Sequence, residues 1–456
     1  MNPASQWRGV FSTDMPLKRE LGLPAAIAMV TGESIALGIF LTPAAMAKSL
    51  GSPALLFAIW FAMAAMACAG ALCYAQLAIT IPEAGGGYVY LRRFYGERLA
   101  FLYGWMSLTV MDSGLSAALA VGASAYIATL APALVPWPRF TAAALLIVIA
   151  AINYRGTRIS GRFMAAVNFL KLAVIGVLIV WAFASRSGST ANLLPLTTRP
   201  PGSDMIILGI AGAFINAFFS YGGWWDVTKL AGEVRDPQRN LPRALTFGVL
   251  AVTLVYVGLS AAFLYVVPLQ NVASNNAFVA QFGEALFGHL GSAVLTICVL
   301  ISVIGGLTAL MMAAPRVYYA MSLDGSFFPQ FARLHSRFGS PANAIVLQLL
   351  IALALLGLGA FDKIISYVIF SAVIFLAITA AAVFKLPAAR SATWFPFAPL
   401  LFILCCVIVG AMILMRDPLQ ALLGILVVAI GYPLHWRRRR ATPSVGEDSL
   451  APIPNE

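Results

Sequence analysis

Thr31-Gly32-Glu33-Ser34-Ile35-Ala36-Leu37-Gly38-Ile39-Phe40 and Phe219-Ser220-Tyr221-Gly222-Gly223-Trp224-Trp225-Asp226 decide how this chain folds. Each stretch lies inside an apolar run long enough to cross a bilayer, and each is interrupted by Gly beside an acid. A charge at the bilayer centre costs ~2.5–3.5 kcal/mol or more, so Glu33 and Asp226 are expected to face protein rather than lipid. Gly-interrupted spans at corresponding places in two halves mark the binding site of inverted-repeat transporters. Unwinding there frees N–H groups at the start of one half-helix and carbonyls at the end of another, which suit an anion and a cation respectively. A zwitterion satisfies both. Gly also serves close helix packing in membranes, which accounts for either break alone. Two breaks five spans apart, each beside an acid, favour a site.

Working outward, apolar runs of about 20 residues recur along nearly the whole chain. They read as 21 to 47, 53 to 81, 99 to 130, 138 to 154, 163 to 185, 204 to 228, 243 to 267, 286 to 320, 341 to 360, 364 to 385, 396 to 415 and 418 to 435. The composition agrees: of 456 residues 61% are apolar and 10% charged, against about 45–50% and about 25% in globular chains. An all-α integral membrane protein of 12 transmembrane helices is expected, with no stretch left for a soluble catalytic domain. Lys and Arg test the count, because cytoplasmic loops collect them. Alternate loops and both tails hold 22, among them Lys229 and Arg316, against 6 on the other side, with Lys171 inside a span. Both termini are therefore expected to be cytoplasmic. No short apolar segment with a cleavage site precedes the first span, so no cleaved leader is expected.

The net charge of +12 would suggest nucleic-acid binding in a soluble protein. Here the basic residues fall a few at a time between spans, with no phosphate-binding Gly loop. Cys68, Cys73, Cys298, Cys405 and Cys406 lie within apolar spans, and His289, His335 and His435 have no partner at metal spacing, so no disulfide, metal or cofactor is expected. An intramembrane enzyme would need a nucleophile and base or metal ligands inside the spans, and no motif such as H-E-x-x-H occurs. A transport-like receptor remains an alternative to a transporter.

Several blocks resemble the amino acid-polyamine-organocation superfamily. Leu17 to Phe40, ending in Gly38-Ile39-Phe40, is similar to its first helix, and Pro82-Glu83-Ala84-Gly85-Gly86-Gly87-Tyr88-Val89-Tyr90 to the loop after its second. Ser220-Tyr221-Gly222-Gly223-Trp224, followed by Glu233-Val234-Arg235-Asp236-Pro237-Gln238-Arg239-Asn240-Leu241-Pro242, resembles the L-amino acid transporter branch. So do Arg316, Met321 to Gly325 and Ser340-Pro341. The resemblance, that of a bacterial-type amino acid permease, runs from residue 17 to about 345.

It implies alternating access by the five-plus-five inverted-repeat fold of the leucine transporter, with discontinuous helices 1 and 6. Residues 1–20 would form a cytoplasmic tail, 21–185 the first five-helix repeat, 204–385 the second, 396–435 helices 11 and 12, and 436–456 a basic, then disordered, cytoplasmic tail. Carried over by position, the N–H groups of Leu37 and Gly38 would hold a substrate carboxylate, and carbonyls of Ser34, Phe219 and Gly222 its amine. Phe219 would be the lid over the substrate. With Gly32, Glu33, Ala36, Ser220 and Trp225, and Asp112 of the third span, these make the candidate substrate site. The chain also departs from the family: the usual Gly-Ser-Gly of helix 1 is Ala36-Leu37-Gly38, a small polar residue is replaced by Glu33, and a polar residue of helix 6 by Trp225. The pocket is thus more acidic and bulkier than the family norm.

Lys171 lies nine residues past Arg162, roughly 13 Å into the membrane at about 1.5 Å per residue. Snorkelling is one reading; the other, implied by the resemblance, is that its ammonium replaces the sodium ion of sodium-driven relatives. Lys171 and Glu33 are accordingly the ion-coupling candidates. Glu233 to Arg243 is read either as a solvated basic loop or, through Glu233, as an inner gate. The expected activity is sodium-independent transport of an amino acid, by exchange or with protons. Neutral amino acids are favoured, and cationic amino acids or polyamines, with Glu33 and Asp112 as counter-charges, are the alternative. Animal members of the branch join a single-span glycoprotein through a Cys between helices 3 and 4. Ala131 to Arg139 contains none, so no disulfide-linked subunit is expected, and the chain would act as a monomer or weak homo-oligomer in the cytoplasmic membrane.

Overall fold

The structure is a computed structural model describing residues 17–36, 38–193, 206–269, 275–357 and 361–441. Leu37, one of the expected carboxylate-binding positions, and residues 442–456 of the expected disordered tail lie outside the described residues.

In hydrocarbon every backbone N–H and C=O must be satisfied within the protein, so apolar runs become helices. Among the described residues the regular secondary structure is accordingly helical, apart from a single parallel bridge between Leu21 and Val234. In chain order the helices are α1 (Leu23–Ser34), α2 (Gly38–Leu50), α3 (Pro53–Thr80), α4 (Gly87–Tyr95), α5 (Glu97–Leu130), α6 (Pro138–Tyr154), α7 (Thr157–Ala184), α8 (Ile206–Tyr221), α9 (Pro237–Val266) and α10 (Asn275–Phe287). There follow α11 (Gly291–Ala313), α12 (Pro315–Leu323), α13 (Ala342–Leu356), α14 (Phe361–Ala381), α15 (Pro387–Arg390), α16 (Phe397–Arg416) and α17 (Pro418–Ala441). Nine segments of the described residues are long and apolar enough to cross a membrane, and α6 and α13 are shorter apolar helices.

Local chemistry sets several boundaries. Ser52 caps α3, its hydroxyl accepting from the Leu55 N–H at 3.3 Å, and Pro53 follows at the first helical position, where its missing N–H costs nothing. The last helix runs on through the basic cluster to Ala441, past the end expected at residue 435. The run read as 286 to 320 is also more complex, since α12 begins at Pro315 directly after α11.

The first apolar run is split, α1 stopping at Ser34 and α2 starting at Gly38. Likewise α8 stops at Tyr221, and a 3₁₀ segment, Trp224–Glu233, follows. Helix α1 packs on α7, α9 and α11, and α2 on α8. The two breaks therefore meet at the centre of the bundle. Helices α16 and α17 pack beside α14 and leave Phe397, Leu404, Val407 and Met415 exposed; with Phe169, Val177 and Val180 of α7 they form the apolar outer surface that a bilayer covers.

Candidate functional site

A helix that ends inside a bundle leaves its last four carbonyls without intrahelical partners. At the end of α1 two side chains from other helices supply them. Lys171 of α7 donates all three of its protons, to the carbonyls of Thr31 at 3.0 Å, Gly32 at 3.2 Å and Ile35 at 2.8 Å. The Tyr256 hydroxyl of α9 lies 2.6 Å from the Ser34 carbonyl and also contacts that of Ser220, joining the two breaks. An ammonium at a helix C-terminus also faces the negative end of the helix dipole. Lys171 is buried, so it reaches the break rather than snorkelling outward.

The second break turns on glycine. Gly223 has a φ of 100°, which a side chain disfavours. A Cβ there would also lie 2.5 Å from Cγ of Glu33, so Gly223 lets Glu33 lie directly over the break. Gly38 plays the complementary part, since a Cβ on it would come within 3.0 Å of the Ser220 backbone. The Gly222 N–H donates to the carbonyls of Phe218 at 3.0 Å and Phe219 at 3.2 Å, and the Asp226 N–H to that of Gly223 at 3.0 Å.

Between the breaks lies a cavity of about 60 Å³. Its apolar wall comes from Met111, Leu115 and Leu119 of α5 and Val368 and Ile369 of α14, with Phe218 and Phe219 from α8. Its polar lining is Glu33, Ser34, Asp112, Trp225 and Asp226. Four buried atoms of that lining have no donor or acceptor among the described residues: Glu33 Oε2, Ser34 Oγ, Trp225 Nε1 and Asp226 Oδ1. Buried polar groups are normally paired, and exceptions need an explanation; here donors and acceptors of both kinds line one cavity.

Beside it stands a buried charged cluster. Lys229 Nζ donates to Asp112 Oδ1 at 2.9 Å, to Asp112 Oδ2 at 3.1 Å and to Asp226 Oδ2 at 2.9 Å. Ser107 donates to the other side of Asp112 Oδ2. Ser107 begins a π-helical turn, Ser107–Met111, that delivers Asp112 to the cavity; such turns recur at functional sites. Lys229 is 1% exposed, so the sequence reading of it as a loop charge is corrected: the Trp224–Glu233 segment carries it into the interior.

At the end of the molecule beyond Lys229, Arg316 donates to Glu233 Oε1 at 2.6 Å and Oε2 at 3.1 Å and to the Thr157 hydroxyl at 2.8 Å. Thr157 itself donates to Glu233. Arg316 also is buried rather than a loop signal, although the bias of the remaining basic residues keeps its direction. The Leu21 N–H donates to the Glu233 carbonyl at 3.0 Å and the Arg235 N–H to that of Leu21 at 2.8 Å, which ties the start of α1 to the end of the Trp224–Glu233 segment. Glu233 is therefore part of a buried network and not of a solvated face.

Of the residues expected at the site, Glu33, Ser34, Ala36, Gly38, Asp112, Phe219, Gly222 and Trp225 line the cavity. Gly32 lies behind it on Lys171, and Ser220 pairs through its hydroxyl with Thr42 at 2.8 Å. Sequence reasoning missed Lys229 as the partner of Asp112, and it missed the walls from α5 and α14. The spacing Asp226-x-x-Lys229, one helical turn inside a run with few charges, was the available signal for Lys229.

A family model described as amino acid permease matches residues 21–430. The chain is 28% identical over 446 residues to the serine/threonine exchanger SteT of Bacillus subtilis (strain 168), covering 94% of this chain and 99% of that one. It is 27% identical over 443 residues to the large neutral amino acids transporter small subunit 2 of Homo sapiens (95% and 83%). Identity to the cystine/glutamate transporter of Homo sapiens is 26% over 432 residues (92% and 85%).

Proposed function

The chain belongs to the amino acid permease family, and from that membership we propose that it carries an amino acid across the cytoplasmic membrane by alternating access, without sodium. The observation that carries this reading is the cavity between the two helix breaks, lined by Glu33, Ser34, Trp225 and Asp226, each of which keeps a buried polar atom with no partner among the described residues. The substrate carboxylate takes the N–H groups at the start of α2, with Ser34 and Trp225 as further donors. The ammonium takes carbonyls at the Phe219–Gly222 break. Phe219 closes over the bound molecule as a lid. Serine/threonine and large neutral amino acid relatives support a substrate with free α-amino and α-carboxylate groups.

The Lys171 ammonium fills the carbonyl cluster that ends α1, and this supports sodium independence: a fixed cation occupies the place where an ion would bind. Twelve crossings in a five-plus-five inverted repeat, both termini cytoplasmic, put the Glu233–Arg316–Thr157 network at the inner face. There it acts as the gate that parts when α1 and the Trp224–Glu233 segment swing to release substrate. With no Cys between Ala131 and Arg139, the transporter works without a disulfide-linked subunit.

The test is uptake of radiolabelled amino acids into proteoliposomes preloaded with unlabelled amino acid, in sodium and in choline. Equal accumulation in the two media is expected. Binding without any flux would replace the transporter with a transport-like receptor, and uptake lost in choline would end the role given to Lys171.

A further inference from the structure

A second cavity, of about 240 Å³, opens at the end of the molecule where Arg316, Glu233 and Thr157 meet. Three separate stretches of chain line it: the residues ahead of α1, the turn from α6 into α7, and the loop between α12 and α13. All three bring cations, Lys18 from the first, Arg155 and Arg158 from the second and Arg337 from the third. The four are exposed, and none has a carboxylate within ion-pair distance among the described residues. The acids of the lining are Glu20 and Glu233, and Arg316 already holds Glu233. Four like charges around one concavity repel one another, and an anion placed between them offsets that repulsion.

The frame that carries these charges is fixed. Gly156, at a φ of 96°, lies so close to the loop that a Cβ on it would be 2.5 Å from the Phe338 carbonyl oxygen. The Ser340 hydroxyl donates to the Tyr154 carbonyl at 2.7 Å, and the His335 ring packs on those of Tyr154 and Phe338 at 5.2 and 4.6 Å. No side chain caps α7, so its first N–H groups and positive dipole end add to the attraction of an anion at the same place. From the cavity an apolar stripe leads away along α7. Ile159, itself part of the lining, Leu170 and Val177 are 49%, 49% and 67% exposed, and they lie about three and then about two turns apart, on one face. A phospholipid with a chain along that stripe sets its headgroup at the cavity.

We propose that this cavity binds the phosphate headgroup of an anionic phospholipid of the cytoplasmic leaflet, with an acyl chain along Ile159, Leu170 and Val177, and that the bound lipid holds the inner gate shut. Its place at the inner face rests on the transport reading; the site itself goes beyond it. Basic pockets between helices on the cytoplasmic side take such headgroups. The Leu21 N–H donates to the Glu233 carbonyl, so Lys18, just ahead of Leu21, moves with α1 and the Trp224–Glu233 segment. Arg155, Arg158 and Arg337 stand instead on the α6–α7 turn and the loop before α13. A phosphate bridging the two sets binds better when they are together than when the gate has parted, and a ligand shifts an equilibrium by that difference in affinity.

The experiment titrates phosphatidylglycerol, and separately phosphatidylcholine, into the purified protein in neutral detergent and counts the retained lipids by native mass spectrometry. Retention of phosphatidylglycerol in preference to phosphatidylcholine is expected. A basic residue at an anionic headgroup contributes about fivefold in affinity. Arg155→Gln, Arg158→Gln and Arg337→Gln together therefore weaken retention about a hundredfold, and Arg158→Gln or Arg337→Gln alone about fivefold. The single variants carry the test if the triple one fails to fold by thermal melting. Arg98→Gln, Arg239→Gln and Arg243→Gln together change the charge equally at residues that do not line the cavity, and retention survives them. Amino acid exchange in phosphatidylcholine proteoliposomes slows when about one lipid in five is replaced by phosphatidylglycerol, and the triple cavity variant loses that difference. Phosphatidylglycerol held no better than phosphatidylcholine, or held equally well by the triple cavity variant, overturns the site. Stabilisation against heat by glycerol 3-phosphate, with no lipid retained, makes a soluble phosphate the ligand and overturns the lipid. Retained lipid with an exchange rate indifferent to it overturns the hold on the gate. Absence of exchange in both lipids removes the transport reading and the gate with it, while the mass spectra still decide the site.

Discussion

Replacing Lys171 with Ala tests whether the ammonium is what holds the first helix break in shape. The side chain donates three hydrogen bonds, to the carbonyls of Thr31, Gly32 and Ile35, and an ammonium has no more to give. Thr31 keeps a second donor in the Ile35 N–H at 3.0 Å. The carbonyls of Gly32 and Ile35 lose a charged donor, and each buried group left unpaired costs about 1–3 kcal/mol. The gross loss is therefore about 2–6 kcal/mol, reduced by release of the penalty for burying the ammonium itself. A variant that is inserted and folded, melts at lower temperature and transports poorly is expected. Uptake of the unaltered protein should be the same in sodium, potassium and choline. The measurements are thermal melting of purified protein and initial uptake rates in proteoliposomes of matched protein content. Lys171→Ala transporting at the original rate, or an unaltered protein that stops when sodium is withdrawn, refutes the reasoning.

Three further outcomes follow from the geometry. Phe219→Ala should reduce uptake more than equilibrium binding, with Phe219→Trp better tolerated, and equal losses in both would make Phe219 an ordinary packing residue. Arg316→Ala leaves Glu233 buried without its cation, which costs about 3–5 kcal/mol; thermal melting should show a large loss, and labelling of an introduced Cys at Thr157 should show the inner end opening. Gly223→Ala combines a φ of 100° with a Cβ 2.5 Å from Glu33 Cγ, so a loss of more than about 1 kcal/mol is expected in melting, together with weaker substrate binding.

Local patterns carried a large share of the site. The Gly residues at 38, 222 and 223 and the acids at 33 and 226 are interruptions in apolar runs, and an interruption is visible without knowing what surrounds it. The resemblance read the Lys171 ammonium as a substitute for the sodium ion of sodium-driven relatives; its contacts with three carbonyls at the end of α1 depend on where α7 crosses α1. By contrast, Lys229 and Arg316 look in the sequence like any other basic residue at the end of an apolar run. Their interior positions depend on the Trp224–Glu233 segment and on the turn from α11 into α12, which bring them back into the bundle.

What the amino-acid sequence determined by itself is the solvent this protein folds in, its helical class, where its helices break, and that its few intramembrane charges must be shielded. Each of these follows from the cost of exposing backbone or charge to hydrocarbon, a penalty paid residue by residue and therefore written locally. Only the tertiary structure decided which charge meets which. Asp112 and Lys229 are 117 residues apart, and Arg316 and Glu233 83; such pairs form because distant helices are packed side by side, and a charge carries no local mark of its partner. That pairing engages both oxygens of Asp112, while Glu33 and Asp226 each keep a buried oxygen with no partner among the described residues.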